Sequence, residues 1–147
     1  TERVRYVYFS AYSNRKRGVI ILVRKNIDFR VLKHYSHQEG RWVIVDAVLE
    51  GQKITFVNVY APNTSQPEFF HEVCNIVRNI GNDNIIIGGD FNQVRDVYLD
   101  KSSHPRPVHD PLGLVDVWRL LYPQEKDYTF YSHPHSKRKL MDFFSTI

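Results

Sequence analysis

Two runs rich in β-branched and aromatic residues, RWVIVDAVL (41–49) and KITFVNVYA (53–61), meet through Glu50-Gly51. This pairing constrains the fold more than any other feature of the chain. Runs of this kind form strands, and a glycine between two of them supplies the conformation a tight reversal needs. The expectation is a β-hairpin, with both strands in one sheet.

Other segments extend the strand count. VRYVYFSAY (4–12) and GVIILVRK (18–25) read as strands, and FRVLKHYS (29–36) alternates as a third. NIIIGG (84–89) reads as a buried strand, and YTFYS (128–132) and LMDFFSTI (140–147) as two late strands joined by a basic loop. One helix stands between the hairpin and NIIIGG. Ser65 and Glu68 have capping-box spacing and Pro67 suits a first turn. Phe69, Val73, Ile76 and Ile80 recur at helical spacing, and Gly81 marks the stop. Residues 93–111, with three X-Pro pairs, read as a long loop, and GLVDVWRLLYP (113–123) as a short helix. Many strands with few helices predict an α+β chain of two packed sheets flanked by helices.

The 147 residues suit one domain, and 42% hydrophobic with 14% aromatic content excludes a disordered chain. No apolar run is long enough to span a bilayer, and Thr1 does not open a signal peptide. Cys74 is the sole cysteine, so no internal disulfide forms. These features predict an intracellular protein, nuclear or cytoplasmic, with Cys74 packed inside the helix. The net charge is +4 and its sources cluster at NRKR (14–17) and HPHSKRK (133–139). Such clusters suit a polyanion, though solvated loops look the same.

The segment IIIGGDFN (85–92) concentrates the chemistry. Asp90 and Asn92, two apart at a strand end, can converge on one point. Gly88 and Gly89 let another group approach the backbone closely. A carboxylate can take a proton or hold a metal, and an amide can donate to a phosphate oxygen or orient water. Both residue types are also ordinary turn formers, and the segment alone leaves the two readings open. Likewise Tyr60 fits a strand aromatic, Asn63 a turn beside Pro62, Thr129 a strand, and Lys101 a solvated charge. Asp142 stands among Met141, Phe143 and Phe144, where a carboxylate needs a partner. His133 and His135 have no accompanying cysteines and read as surface residues.

Taken in order, NVYAPN (58–63), IIIGGDFN, Asp100-Lys101-Ser102, YTFYS and MDFF resemble the endonuclease/exonuclease/phosphatase (deoxyribonuclease-I-like) superfamily. Within it they are most similar to the apurinic-type endonuclease domain of non-LTR (LINE-type) retrotransposons. The resemblance implies a four-layer α/β/β/α sandwich, and DNA phosphodiester hydrolysis with Mg2+ offsetting charge on the phosphate. It implies that Tyr60 touches the scissile phosphate, Asp90 positions the attacking water, Asn92 holds phosphate and nucleophile, and Asp142 orients a histidine. Asn63, Lys101 and Thr129 correspond to positions near DNA. Lys137, Arg138 and Lys139, projecting from a hairpin tip, would contact DNA phosphates.

The match has gaps. The family's upstream Asn, its metal-binding Glu in a Q-E-T context and its downstream catalytic His in S-D-H have no counterpart in these 147 residues. Leu140-Met141-Asp142 also stands where the family prefers Arg-Ile-Asp. The expectation is a single partial domain over 1–147, truncated at both ends, lacking its main metal ligand and weak or inactive as a nuclease alone. A non-catalytic nucleic-acid-binding retroelement remnant is the alternative, and a phosphatase of the same superfamily a third reading. Open sheet edges predict self-association.

Overall fold

The computed structural model describes residues 3–13, 16–64, 66–92, 115–116, 121, 130–132, 137–139 and 142–145; residues 16, 115–116, 130–132, 137–139 and 142–145 are described by backbone position. The hairpin forms as the sequence predicts. β4 (Trp42–Leu49) and β5 (Gln52–Tyr60) pair antiparallel from Leu49↔Gln52 to Trp42↔Val59. Glu50 (φ 48°) and Gly51 (φ 82°) both turn through the left-handed region, the two-residue geometry that matches strand twist.

This hairpin is the middle of a six-stranded sheet. β3 (Phe29–Ser36) pairs antiparallel with β4, and β6 (Ile85–Asp90) runs parallel to β5. The strand order is β3-β4-β5-β6-β10-β7, where β7 is Val115–Asp116 and β10 is Asp142–Ser145. Parallel β5 and β6 require a crossover, and α1 (Pro67–Ile80) supplies it. β1 (Val4–Ser13) and β2 (Lys16–Arg24) form a second, two-stranded sheet, and β8 (Phe130–Ser132) pairs with β9 (Lys137–Lys139) in a third.

The core follows from strand alternation. Trp42 and Ile44 of β4, Val57 and Val59 of β5, and Ile85 and Ile87 of β6 face α1, which answers with Phe69, Val73 and Val77. The opposite face sets Val45 and Ala47 against Val23 of β2, with Tyr6, Tyr8 and Ile21 beside them. Phe29 centres this second cluster, its ring 6.0 Å from Phe56 and 6.4 Å from Tyr6. β4 is thus buried on both faces. Fully burying one such aliphatic side chain contributes about 1.5–3 kcal/mol. The described layers are α1, the six-stranded sheet and β1–β2, an α+β sandwich of packed sheets. The second helical layer of the expected four lies outside the described residues.

Several expectations need correction. The helix begins at Pro67 with Gln66 at its N-cap, which makes no side-chain capping bond; Ser65 of the expected capping box lies outside the described residues. Its buried side chains are Phe69, Val73, Cys74 and Val77, with Ile76 and Ile80 only partly buried; the sheet selects a stripe rotated from the one the spacing suggests. Cys74 is buried and unbridged, and Gly81 ends the helix in the left-handed conformation, both as expected. Val115–Asp116 is not helical. It pairs with Ser145 and Phe144, because the free edge of β10 offers ladder hydrogen bonds that local propensity cannot outweigh. YTFYS and LMDFFSTI are not partners. Phe130–Ser132 pairs with Lys137–Lys139, while Asp142–Ser145 joins the large sheet beside β6. The long loop over 93–111 lies outside the described residues.

Candidate active site at the ends of β5 and β6

The parallel register pairs Asn58 with Gly88 and Tyr60 with Asp90, so NVYAPN and GGDFN run side by side and end together. Parity places Asn58, Tyr60 and Asp90 away from α1, because Val57, Val59, Ile85 and Ile87 occupy the helix side. Both outgoing chains are then tied to each other. The Ala61 backbone N–H donates to the Asp90 carbonyl at 2.7 Å. The Asn92 side-chain Nδ2 donates back to the Ala61 carbonyl at 2.5 Å. The Asn92 backbone N–H donates to Asp90 Oδ1 at 2.8 Å.

The turn reading and the site reading of GDFN therefore describe the same geometry. Asp90 and Asn92 do make the turn, and making it fixes both side chains beside Tyr60. Asn92 has φ 49°, a conformation asparagine tolerates better than most residues. Between them, Phe91 is buried and stacks on Phe70 of α1, with ring centroids 6.2 Å apart and planes 1° from parallel. The helix layer thus anchors the turn from behind.

Gly89 decides how closely the two strands meet. Its φ is +130°, and a Cβ placed there would lie 2.1 Å from the Val59 carbonyl oxygen and 2.7 Å from Asn58 Oδ1. Only glycine fits. The expectation that the glycine pair permits close backbone approach is met, and the approaching group is strand β5. Asn58 also donates from Nδ2 to the Ile20 carbonyl at 2.8 Å, joining the two sheets on the face that carries Tyr60 and Asp90.

Arg41 is a residue the sequence reading does not single out. Its backbone carbonyl accepts from the Tyr60 N–H at 2.7 Å, and its Nη1 donates to the Tyr60 carbonyl at 3.4 Å. Its guanidinium carbon stands 5.4 Å from the Tyr60 ring centroid, within cation–π range. The signal was available. A two-residue turn at Glu50-Gly51 fixes the register, and counting back from it sets position 41 across from position 60.

The remaining candidates divide. Asn63 is exposed just beyond Ala61 and Pro62, at the margin of the site. Asp142 opposes Gly89 on the neighbouring strand β10, so its backbone sits one strand over at the same level. Lys137, Arg138 and Lys139 lie on strand β9 and not at a hairpin tip; Ser132↔Lys137 closes the ladder, leaving residues 133–136 as the connection. Lys101 and Thr129 lie outside the described residues.

Mg2+ would need oxygen ligands at these strand ends. No group of three His, Cys, Asp or Glu side chains comes together among them. At these strand ends the Asp90 carboxylate accepts the Asn92 N–H. Mg2+ normally takes one or two carboxylates plus phosphate oxygens and water. The described side chains do not by themselves make that set. They can do something narrower: present one carboxylate, one amide and one phenol at a rigid edge, with a guanidinium alongside.

This architecture is a fold that solved structures share. No protein-family model matches the chain. Among solved structures it is similar to truncated Caenorhabditis elegans TDP2, with 20% identity and a TM-score of 0.66 over 96% of this chain and 61% of that one. It is similar to the endonuclease domain of TRAS1, a telomere-specific non-LTR retrotransposon, with 15% identity and a TM-score of 0.62 over 95% of this chain and 67% of that one. D. rerio TDP2 complexed with single-strand DNA product matches with 18% identity and a TM-score of 0.57 over 95% of this chain and 62% of that one. The chain thus spans less than two thirds of the TDP2 structures it matches. No helix among the described residues is long and apolar enough to cross a membrane.

Proposed function

We propose that this chain derives its site from a Mg2+-dependent DNA endonuclease, hydrolysing phosphodiester bonds, and that its turnover alone is weak or absent. The observation carrying this reading is the Tyr60↔Asp90 register, with Asn92 latched to Ala61 across the same two strand ends. It gathers an acidic, an amide and a phenolic group where two glycines and a helix leave the backbone little freedom. The fold, shared with a retrotransposon endonuclease domain and with a TDP2 bound to a DNA product, supports nucleic acid as the substrate class. In this reading Tyr60 contacts the phosphate, Asp90 positions water, Asn92 orients phosphate and nucleophile, and Asp142 works through a histidine. Asn63, Lys101, Thr129 and the basic residues 137–139 meet DNA. Weak turnover follows from the lack, within these 147 residues, of counterparts to the family's metal-binding Glu and catalytic His, since a site acting as a unit fails steeply when members are missing.

A supercoiled-plasmid nicking assay with Mg2+ tests this. Little nicking by the wild-type chain, with retained DNA binding, is the expected result. Robust nicking that disappears in Asp90→Ala would establish an active nuclease and overturn the weak-turnover reading. Nicking unchanged in Asp90→Ala would overturn the site itself. A second reading, a non-catalytic nucleic-acid-binding remnant, is favoured by the basic strand β9 and is distinguished by DNA affinity without turnover in any metal. A phosphatase acting on small phosphates is tested with a substrate panel in the same experiment.

A further inference from the structure

The basic run NRKR (14–17) has no part in the site described above, yet the fold sets it nearby. Ser13 and Lys16 close the β1–β2 ladder, so Asn14 and Arg15 connect the two strands and the run is the tip of that hairpin. β2 packs on the face of the large sheet opposite α1, the face that carries Tyr60 and Asp90. Over residues 3–27 the chain has seven Lys and Arg and no Asp or Glu. The opposite charge at this tip comes from Glu39, in the turn between β3 and β4.

Arg17 is held in place from several sides. Its φ is 52°, a left-handed conformation that arginine seldom adopts. Gly40 backs it: a Cβ there would lie 2.7 Å from the Arg17 carbonyl oxygen and 2.7 Å from the Tyr12 nitrogen, so the two turns meet main chain to main chain. The Arg17 guanidinium carbon stands 4.8 Å from the Tyr12 ring centroid, and its Nη1 is 3.4 Å from Glu39 Oε2. Glu39 is fixed in turn by its own N–H, which donates to His37 Nδ1 at 3.3 Å. Arg41 follows Gly40, and its carbonyl accepts the Tyr60 N–H at 2.7 Å. Gly40 and Arg41 thus bridge the main chains of Arg17 and Tyr60, a span of at most about 15 Å.

A guanidinium set on an aromatic face and turned to a carboxylate also suits a phosphate, because both anions offer oxygens to the same fork of donors. We infer that Arg17 binds a backbone phosphate of nucleic acid lying across the site, and that Glu39 occupies the place of that phosphate and competes with it. The inference rests on nucleic acid being the substrate class, as proposed above. Competition follows from charge. A phosphate reaching Arg17 displaces the Glu39 carboxylate and then lies beside it. A surface ion pair of this kind is strong enough to alter affinity by about twofold to fivefold.

The test follows the anisotropy of a short labelled DNA duplex with the full 147-residue chain across a salt series. Glu39→Gln, nearly isosteric, should tighten binding by about twofold to fivefold and steepen the salt dependence of log Kd by up to about 0.9. Arg17→Gln should weaken binding by a similar factor. In the double variant Glu39→Gln should add nothing, since no guanidinium remains to be released. Glu50→Gln removes the same charge at the opposite end of β4 and should change affinity less than about twofold. Unchanged affinity in Glu39→Gln would overturn the proposal while leaving the nucleic-acid reading in place. An equal gain in the Arg17→Gln background, or from Glu50→Gln, would also overturn it, because the effect would then be general charge. Absence of duplex binding by the wild type and every variant would overturn the nucleic-acid reading and this proposal together.

Discussion

The side-chain amide of Asn92 donates to the main-chain carbonyl of Ala61 at 2.5 Å, joining the chain leaving β6 to the chain leaving β5. The residue expected to hold a phosphate is therefore also the latch of its own site. The bond to Ala61 orients the amide.

Substitutions at Asn92 should separate latch from backbone. Asn92→Gly keeps the left-handed φ and loses only the amide, costing about 1 kcal/mol. Asn92→Ala adds the strain of φ 49° and costs about 2 kcal/mol. Asn92→Asp sets a carboxylate oxygen against the Ala61 carbonyl and should cost the most. Urea unfolding at neutral pH checks the order Gly, Ala, Asp.

Gly89→Ala should be more damaging than any exposed substitution. The added Cβ would press on the Val59 carbonyl at 2.1 Å in a backbone conformation only glycine favours. A loss of at least about 2–3 kcal/mol is expected. Thermal unfolding reads it, and a wild-type melting temperature would show that β5 and β6 are not this close.

Replacing Lys137, Arg138 and Lys139 together with alanine should lower DNA affinity uniformly across sequences. It should also flatten the dependence of log Kd on log salt by up to about 0.9 per lost phosphate contact on duplex DNA. Filter binding across a salt series measures both. An unchanged slope would remove β9 from the DNA surface.

Self-association through strand edges is a separate expectation. Among the described residues, β1 and β2 form a two-stranded sheet and β3 borders the large one, and strand edges of this kind favour edge-to-edge pairing. Light scattering should give a mass that falls on dilution, and lysine placed at Tyr35 of edge strand β3 should reduce it. A monomer at all concentrations would dispose of the idea.

Core strength should follow β4. Ile44 is fully buried between the sheet and α1, and Ile44→Ala should cost about 2–5 kcal/mol in equilibrium unfolding. A cost under about 1 kcal/mol would mean that the face does not pack as described.

Much of the fold was legible because its signals are local. Glu50-Gly51 announces a turn, the alternation on both sides sets the register, and Gly81 stops a helix. What was missed is non-local. β7 exists because β10 has an open edge, and β10 joins β6 instead of the adjacent YTFYS segment. β3 contains a register shift between Val31 and Lys33, which turns His34 toward the same cluster as Val31 and brings its ring 5.7 Å from Tyr8. No period-2 count can find an inserted residue of that kind.

For the candidate site, the residue types were readable and their relationship was not. Asp90, Asn92 and Tyr60 carry the chemistry in their side chains, which any order of reading reveals. That Tyr60 stands level with Asp90 requires a parallel pairing across the twenty-nine positions between them, which only the α1 crossover establishes. That Gly89 is obligatory depends on where Val59 and Asn58 come to rest. Arg41 lies between these cases, reachable by counting but meaningful only once Tyr60 has a role.

The sequence by itself determined the alternating strands, the turn, the helix and the inventory of reactive groups, since these depend on neighbours a few residues apart. Tertiary structure alone decided which strand ends meet and which glycine cannot be replaced. Those outcomes depend on distances between segments far apart in the chain, and packing sets such distances.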